Sequence, residues 1–333
     1  MEPVRWGVLS TAKIGTEKVI PAMQRGTLCR IEAIASRNQA RASEAAARLG
    51  IPRTHDSYEA LLADPEIEAI YNPLPNHMHV AWTARAADAG KHVLCEKPLA
   101  MTAAEAETLI AARDRAGVRI EEAFMVRNNP QWLWAREQVR SGRIGRLRAI
   151  QGCLTYRNMD PDNIRNRVEV GGGGLYDIGS YPITMSRFVL DAEPTRAVAL
   201  MERDPDFATD RLTSAMLDFG DAQASFTCAT QLARFQTMQL LGTEGWLHVE
   251  LPFVMEPDRD CRILIGDGTF PGALAASEQR FSAVDQYTLQ GDGFSERVRT
   301  GAPSPFPLEN AVRNMAVIDA LFRSAANGGW EAV

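Results

Sequence analysis

The sequence predicts two domains: an amino-terminal α/β domain with a doubly wound parallel sheet, and a carboxyl-terminal α+β domain with a mostly antiparallel, open-faced sheet. Strand and helix patterns alternate over the first ~125 residues, as they do in repeated βαβ units. From about residue 146, strand patterns instead follow one another, with turn residues between them. The length of 333 residues also exceeds what one core usually supports, so we predict a division into residues 1–125 and 126–333.

Short apolar runs mark the strands of the first domain. We predict strands at residues 6–9, 31–35, 67–71, 92–95 and 119–124. Helical patterns lie between them, at residues 13–25, 37–49 and 79–89 and after Thr102. Asp56 with Glu59, and Thr102 with Glu105, have the spacing of a capping box, which predicts that a helix begins at each pair.

Strand-like runs dominate the second domain. They lie at residues 148–156, 197–202, 214–219, 222–229, 236–241, 247–250 and 262–265. Gly220-Asp221 and Glu244-Gly245 stand between consecutive runs and favour hairpin turns. Two helices are predicted as well, one at residues 175–189 and one near the end of the chain. The apolar stripe of the latter is formed by Leu308, Ala311, Met315, Ile318 and Phe322.

The composition narrows the class of partner. With 36 basic and 42 acidic residues the net charge is −6, which disfavours nucleic acid or an anionic membrane surface as a partner. The sequence has no run of about 20 apolar residues, so we expect no membrane span. The five cysteines are scattered, and neither they nor the five histidines show metal-ligand spacing. We therefore expect a cytoplasmic protein without a metal site.

A dinucleotide-binding loop is predicted after the first strand. Ser10, Ala12 and Gly15 occupy the three glycine positions of the G-x-G-x-x-G fingerprint, and only the last of them is glycine. Small side chains still let backbone N–H groups approach a pyrophosphate at a helix amino terminus, where Lys13 adds a positive charge. Any β-turn-α unit resembles this motif, which leaves an ordinary turn as the alternative. The residues assigned to cofactor binding here are Ser10, Thr11, Ala12, Lys13 and Ile14.

The end of the second strand favours NADP(H) over NAD(H). Enzymes that use NAD place an acidic residue there for the ribose 2′-hydroxyl, whereas this chain has Ser36 and Arg37. A guanidinium offers a planar fork for a 2′-phosphate, and Ser36 offers one more donor. Arg41 lies one helical turn further, on the same face as Arg37. The alternative is that both arginines belong to a solvated helix start.

The loop after the third strand, at residues 72–79, is fixed by two prolines. We expect Leu74, Asn76 and His79 in this loop to lie near the nicotinamide of the cofactor. A histidine in such a loop is more often a capping or packing residue, and that remains the alternative for His79. We do not expect it to bind a metal.

The fourth strand ends in Glu96-Lys97-Pro98. Burying a charge pair near the end of a strand costs free energy, so such a pair indicates a functional role. Ligands of doubly wound sheets bind at the carboxyl ends of the strands. Lys97 is therefore a candidate for placing a hydride donor and holding a substrate oxygen. A surface ion pair after an ordinary strand is the alternative.

Residues 171–174 are four consecutive glycines, which allow another group to approach the backbone closely. Asp177 and Tyr181 follow, four residues apart and hence on one face of the predicted helix. A carboxylate and a phenol that share a face form a plausible acid/base pair. The alternative is a glycine-rich helix start with a surface aspartate and a packed tyrosine.

These motifs together resemble the family of glucose–fructose oxidoreductase and inositol dehydrogenase (Gfo/Idh/MocA), over essentially the whole chain. Glu96-Lys97-Pro98 is the most specific short motif, and Tyr181 stands where many relatives have histidine. The segments that resemble the aldose-oxidising branch are residues 122–127, 163–165, 172–182 and 284–287. The resemblance implies a Rossmann domain, NADP as the cofactor, and a homodimer or homotetramer formed through the carboxyl-terminal sheet.

The family pattern also implies roles for individual residues. The catalytic set is Lys97, Asp177 and Tyr181. Glu96, Lys97 and Arg127 are placed near the cofactor. The substrate-binding set is Lys97, Asn163, Arg165, Asp177 and Tyr181. The implied reaction is hydride transfer between C1 of an aldose and NADP⁺ to give a lactone, or the reverse reduction of a carbonyl. A dihydrodiol dehydrogenase, an anhydrofructose-type reductase and a non-catalytic NADP-binding sensor are the alternatives.

Overall fold

The computed structural model describes residues 1–269 and 275–333. These residues form two compact units. The first consists of Met1–Met125 with Asp285–Met315, and the second of Val126–Val284 with Ala316–Val333. The predicted division at residue 125 stays a prediction, and the structure adds that the segment Asp285–Met315 belongs with the first unit.

The first unit is built on a six-stranded parallel sheet. Its strands are β1 (Val4–Leu9), β2 (Cys29–Ala35), β3 (Arg53–His55), β4 (Ala69–Asn72), β5 (His92–Glu96) and β6 (Ile120–Ala123). They lie in the order β3-β2-β1-β4-β5-β6, and every neighbouring pair is parallel. The strand order reverses between β1 and β4, which is where doubly wound sheets bind their ligands. The predicted doubly wound sheet is confirmed; only β3 was not predicted, because its three half-buried residues form no apolar run.

Five helices of the first unit follow these strands. They are α1 (Ile20–Arg25), α2 (Gln39–Leu49), α3 (Tyr58–Ala63), α4 (His79–Asp88) and α5 (Ala103–Ala116). Asn38, Ser57 and Thr102 cap α2, α3 and α5, each accepting from the N–H three residues on. The predicted cap at Asp56 is therefore wrong by one residue, whereas the cap at Thr102 is confirmed. The helix predicted at residues 13–25 starts at Lys13, but a π turn, Gly15–Val19, interrupts it before α1.

The second unit is built on a nine-stranded sheet. Its strands are β7 (Leu147–Arg157), β8 (Arg196–Arg203), β9 (Asp210–Asp218), β10 (Gln223–Ala229), β11 (Gln231–Gly242), β12 (Trp246–Val249), β13 (Cys261–Gly266), β14 (Ser277–Phe281) and β15 (Glu331–Ala332). The order is β14-β13-β12-β11-β7-β10-β9-β8-β15, and only the β7–β10 pair is parallel. In β9, buried Ala215 and Leu217 alternate with exposed Ser214 and Met216, so one face is covered and the other open. The predicted antiparallel, open-faced sheet is confirmed.

Four further helices complete the described chain. They are α6 (Pro130–Arg140), α7 (Ser180–Leu190), α8 (Gln286–Thr300) and α9 (Leu308–Asn327). A π turn, Leu175–Gly179, leads into α7, so the helix predicted at residues 175–189 is present but does not open as an α-helix. In α8, Phe294 packs on the buried ring of Trp6 with a centroid distance of 5.1 Å, which attaches α8 to the sheet of the first unit. Among residues 1–269 and 275–333, no helix combines the length and hydropathy needed to cross a membrane.

Candidate active site

The loop after β1 adopts the backbone conformation that a glycine fingerprint would give. Ser10, at the first glycine position, has a φ of 73°, in the left-handed region. Its N–H donates to Ala35 O at 2.9 Å, and its Oγ accepts from Ala12 N at 3.2 Å. Thr16 N then donates to Ala12 O at 3.0 Å, which closes the first helical turn. The loop thus brings backbone N–H groups to a helix start, the arrangement that binds a phosphate.

Three predicted cofactor residues present positive charge to solvent. Lys13, Arg37 and Arg41 are all exposed, so each can reach a phosphate without first being desolvated. Arg37 lies close to Tyr58: burial raises the pKa of Tyr58, and the charge of Arg37 partly offsets that shift. This part of the first unit therefore fits an anionic ligand group such as a 2′-phosphate.

Other predicted cofactor residues make hydrogen bonds or packing contacts within the first unit. Ser36 is buried, and its Oγ accepts from Asn38 N at 3.1 Å before α2 begins. Ile14 packs against the hydrophobic core of the first unit, and Thr11 is half-buried. Ile14 therefore contributes packing through its side chain, and Ser36 shapes the turn that presents the arginines.

His79 joins two loops at the carboxyl edge of the sheet. Its side chain is fully buried, with Nδ1 at 2.7 Å from Pro98 O and Nε2 at 2.6 Å from Leu74 O. Burial lowers the pKa of His79 to about 4. Leu74 is buried and Asn76 half-buried in the same loop. These contacts favour the packing interpretation of His79, and its predicted contact with the cofactor stays a prediction.

Glu96 is the last residue of β5, and Lys97 follows it directly. Tyr71 OH donates to Glu96 Oε1 at 2.6 Å, and Lys97 N donates to Glu96 Oε2 at 3.3 Å. Burial raises the pKa of Glu96, while the Tyr71 hydroxyl and the charge of Lys97 oppose the shift. Lys97 is half-buried, and its peptide bond to Pro98 is cis. Sequence reasoning missed Tyr71, which looks like an ordinary core residue of a strand.

The remaining predicted residues lie in the second unit. Arg127 is 3% exposed within the 3₁₀ turn Met125–Asn128. Asn163 caps the turn Ile164–Asn166, because its Oδ1 accepts from Arg165 N at 3.0 Å. Asn163 thus fixes the backbone from which the Arg165 side chain projects.

The glycine strip packs directly on the segment that contains Arg165. Gly172 N donates to Arg167 O and Gly173 N donates to Arg165 O, both at 2.9 Å. A Cβ on Gly172 would lie 2.6 Å from Arg165 O, closer than real Cβ contacts come. Gly173 has a φ of 123°, which L side chains rarely adopt. The glycines are therefore required by a close backbone approach, as the sequence suggested.

Asp177 stands at the centre of a polar cluster. Its Oδ2 accepts from Tyr156 OH at 2.7 Å and from Arg165 Nε at 2.8 Å. Asp177 raises the pKa of the Arg165 guanidinium, and Tyr181 also contributes to that shift. Burial and the Asp177 charge together raise the pKa of Tyr156. The predicted Asp177, Arg165 and Tyr181 are thus electrostatically coupled within the second unit, and Tyr156 joins them unpredicted.

Tyr181 is almost buried, with 5% of its surface exposed, and its ring packs on Phe253 at a centroid distance of 5.7 Å. It lies just beyond the π turn Leu175–Gly179 that holds Asp177. Single π turns inside helices occur frequently at functional sites. The structure therefore groups Asp177, Tyr181 and Arg165 in one unit and Glu96 with Lys97 in the other. The predicted catalytic set of Lys97, Asp177 and Tyr181 stays a prediction.

Metal chemistry finds no support in the described part of the chain. Over residues 1–269 and 275–333, no group of three or more His, Cys, Asp or Glu side chains is arranged to hold a metal ion. The buried thiols of Cys95 and Cys228 have pKa values raised by burial, so they are poor ligands and nucleophiles.

The fold and these side chains define an oxidoreductase of the two-domain type, with a Rossmann domain followed by an open-faced α+β domain. Residues 4–124 match the model of the Gfo/Idh/MocA oxidoreductase family with an NAD-binding Rossmann fold, and residues 132–248 match that of the family's C-terminal domain. The chain belongs to the Gfo/Idh/MocA oxidoreductase family. The family resemblance that the Glu-Lys-Pro motif indicated is confirmed.

Similar proteins cover nearly the whole chain. An uncharacterized oxidoreductase of Rhizobium meliloti is 49% identical over 100% of both chains. D-xylose 1-dehydrogenase (NADP(+)) 2 of Haloferax volcanii is 36% identical over 97% of this chain and 98% of its own. The crystal structure of a 3-ketoreductase from Actinomadura kijaniata with NADP and TDP-benzene has a TM-score of 0.89 and 29% identity, covering 97% of this chain and 98% of that one.

Proposed function

We propose that the protein is an NADP-dependent sugar oxidoreductase that oxidises C1 of a cyclic aldose to a lactone, or reduces a carbonyl in the reverse direction. The observation that carries the proposal is a coupled cluster: Asp177 and Tyr181 lie on one helix, and Arg165 reaches Asp177 from the turn on which the glycine strip packs. A sugar has many hydroxyl groups, and such a cluster offers it both donors and acceptors. Similarity to a D-xylose 1-dehydrogenase that uses NADP⁺, over 97% of this chain, supports the same assignment.

The first unit supports NADP as the cofactor. Ser10 and Ala12 shape the loop for the pyrophosphate, while exposed Arg37 and Arg41 hold the 2′-phosphate. Ser36 stands where enzymes that use NAD have an acidic residue. When bound, the nicotinamide supplies the hydride acceptor or donor.

Tyr181 is the proposed base. Its phenolate takes the proton of the anomeric hydroxyl, the C1–H bond breaks with loss of hydride, and the C1–O bond becomes a carbonyl. A cation favours a phenolate, and Arg165 of the same unit is electrostatically coupled to Tyr181. A positioned base of this kind accelerates a reaction roughly 10²- to 10⁴-fold.

Asp177 has a different role in this proposal. Its Oδ2 accepts from Tyr156 OH and from Arg165 Nε, so the charged form is well stabilised. A carboxylate oriented in this way can accept hydrogen bonds from sugar hydroxyls. Asn163 and Arg165 complete the proposed sugar contacts, and Lys97 holds the reacting oxygen.

A substrate panel tests this proposal. Purified protein is mixed with NADP⁺ and one aldose at a time, and the absorbance of reduced nicotinamide is followed; the reverse reaction is followed with NADPH. We expect turnover of at least one aldose, with loss of roughly 10²-fold or more in Tyr181→Phe and in Lys97→Ala. If no sugar is turned over in either direction, or if Tyr181→Phe keeps most of the turnover, the proposal is wrong.

A second candidate is reduction of a keto group on a nucleotide-linked sugar. The structural similarity to a 3-ketoreductase solved with NADP and TDP-benzene, at a TM-score of 0.89, favours it. The same tyrosine would then donate its proton to the alkoxide that forms. Adding a nucleotide-linked ketosugar to the panel separates the two candidates, and adding a dihydrodiol and anhydrofructose tests the other predicted substrates. Cofactor binding without any turnover would instead support a sensor.

Self-association is also part of the proposal. The open face of the nine-stranded sheet carries apolar side chains, among them Leu200 at 80% and Met216 at 40% exposure. Such a face favours pairing of two copies into the predicted homodimer or homotetramer. Light scattering on the purified protein measures the mass of the assembly directly.

A further inference from the structure

The helix that carries Asp177 and Tyr181 begins without a capping side chain of its own. The residues before it are the four glycines 171–174, and Gly174 at the cap position has no side chain to offer. A helix start leaves several N–H groups without partners inside the helix, and in buried surroundings each needs an acceptor. A Cβ on Gly174 itself would lie 3.3 Å from Asp210 Oδ2, so a side chain at the cap position would crowd that carboxylate.

Asp210, the first residue of β9, supplies the acceptor from another element. Its side chain is 2% exposed, and its Oδ2 accepts from Leu175 N at 2.6 Å and from Thr213 Oγ1 at 3.3 Å. A Cβ on Gly173 would overlap Asp210 Oδ1, so the carboxylate fills the space that this glycine leaves. The glycine strip therefore leaves room for the Asp210 side chain, and Asp210 supplies the acceptor that the helix start needs.

The surroundings of Asp210 both raise and lower its pKa. Burial raises its pKa to about 6, and the Leu175 and Thr213 donors and the charge of Arg203 oppose that shift. Tyr156 on β7 and Cys228 on β10 both have pKa values that the Asp210 charge raises further. A negative charge at a helix amino terminus is also favourable to the helix dipole.

We infer that Asp210 is a positioning residue: through Leu175 N–H it fixes the first turn of the helix, and thereby the placement of Asp177 and Tyr181. The inference rests on the proposed function for its catalytic consequence. Leu175 precedes Asp177 by two residues in the same turn, so a change at this hydrogen bond displaces the carboxylate and then the phenol. Misplacement of reacting groups by about 1 Å can cost on the order of 10²-fold in rate.

The experiment compares Asp210→Ala and Asp210→Asn in the full-length protein. We expect the alanine variant to lose roughly 10- to 100-fold in kcat, with KM for the sugar changed much less and the NADP dissociation constant unchanged. The asparagine variant keeps an acceptor oxygen and is expected to recover most of kcat. If the alanine variant does not fold, Asp210→Ser, whose hydroxyl is too short to reach Leu175, takes its place.

Asp204 provides a matched control. It is also a buried carboxylate of the second unit, 4% exposed, but its Oδ1 accepts from Asp206 N and Phe207 N, both at 2.8 Å, in the connection between β8 and β9. Its Oδ2 accepts from Gln231 Nε2 and lies 3.7 Å from Arg211, so Asp204→Ala removes a buried, hydrogen-bonded carboxylate for which the described residues show no hydrogen bond to the helix of Asp177. We expect it to lower the denaturation midpoint and to leave kcat unchanged.

Amide hydrogen exchange gives a readout that does not depend on turnover. The Leu175 amide is expected to lose protection in Asp210→Ala and to keep it in Asp210→Asn and Asp204→Ala. Unchanged kcat in Asp210→Ala, or an equal loss of kcat in Asp204→Ala, overturns the positioning role. If the wild-type protein turns over no sugar, the proposed function fails, and an unprotected Leu175 amide in the wild type would separately overturn the cap.

Discussion

At the scale of single residues, the environment of Arg165 connects the two groups that the proposed chemistry needs. Its Nε donates to Asp177 Oδ2 at 2.8 Å, and both Asp177 and Tyr181 raise its pKa. The Asp177 carboxylate stabilises the positive charge of Arg165, and that positive charge favours the phenolate form of Tyr181. Arg165 is 42% exposed at its side chain, so a sugar can still approach it. In the proposed mechanism Arg165 therefore has two roles: it contacts the sugar, and its charge favours the phenolate of the proposed base.

Replacing Arg165 by methionine tests this coupling. Arg165 and Tyr181 are electrostatically coupled, and the substitution removes a cation that favours the phenolate, so we expect the alkaline rise of kcat to move to higher pH. The measurement is the pH profile of kcat for the best aldose found in the panel. Arg167→Met is the control, since Arg167 is exposed and pairs with Glu169. Superimposable profiles for the wild type and Arg165→Met would contradict the coupling.

Arg37 carries the residue-scale prediction for the cofactor. Arg37→Asp removes a donor to the 2′-phosphate and introduces the acidic group typical of enzymes that use NAD. Because hydrogen bonds to charged groups contribute about 1.5–3 kcal/mol, we expect the NADP⁺/NAD⁺ ratio of kcat/KM to fall roughly 10- to 100-fold. Arg48→Asp, at the exposed carboxyl end of helix α2, makes the same charge change and should leave the ratio unaltered. An unchanged ratio in Arg37→Asp would refute the assignment.

At the scale of elements, the glycine strip joins a loop to a helix. Gly172 and Gly173 donate to the carbonyls of the Arg165 segment, and the helix of Asp177 starts immediately after them. Arg165 and Asp177, which form an ion pair, are therefore also fixed relative to each other through the backbone. The sheet is connected to the same helix, because Asp210 of β9 accepts a hydrogen bond from Leu175 N at the helix start.

A methyl group at Gly172 should disturb this packing. Its Cβ would lie 2.6 Å from Arg165 O and 2.7 Å from Arg167 O, and backbone atoms cannot rotate away as a side chain can. We expect Gly172→Ala to lower the free energy of unfolding by about 1–3 kcal/mol, measured by urea denaturation. Gly329→Ala is the control, since nothing lies within 4 Å of a Cβ there. Equal urea midpoints for Gly172→Ala and the wild type would contradict this prediction, because they would mean that the backbone of residues 165–167 moves to accommodate the methyl group without loss of stability.

Local patterns predicted most of these elements, and interactions between residues distant in sequence account for what was missed. Asp177 and Tyr181 could be paired because their spacing is local. Tyr156 and Asp210 could not be found, because they meet Asp177 and Leu175 across 21 and 35 residues of chain. No periodicity or spacing signals such an interaction. The same reason explains why the sequence did not show that Asp285–Met315 belongs with the first unit.

At the scale of the whole molecule, this returning segment is attached to the first unit by ion pairs as well as by the Trp6–Phe294 contact. Arg297 donates to both carboxylate oxygens of Glu121, and Arg299 donates to both oxygens of Glu68. Paired geometry of this kind is the stronger form of ion pair. The first unit therefore depends on residues almost 300 positions from its first strand for part of its stability.

The Glu68 pair gives this attachment a pH dependence. Arg299, with the Arg5 N–H, lowers the pKa of Glu68 to about 2, from 4.5 for an unperturbed glutamate. A carboxylate whose folded pKa is lowered stabilises the fold fully above the unfolded value, and that stability is lost as pH falls from about 4.5 towards 2. We expect Glu68→Gln to reduce the free energy of unfolding by roughly 1 to 3 kcal/mol at neutral pH and by little near pH 2. Urea denaturation at both pH values measures the difference, and Glu66→Gln, an exposed neighbour, should show no such pH dependence. A difference that persists at acid pH would mean that packing, and not charge, holds the segment at this point.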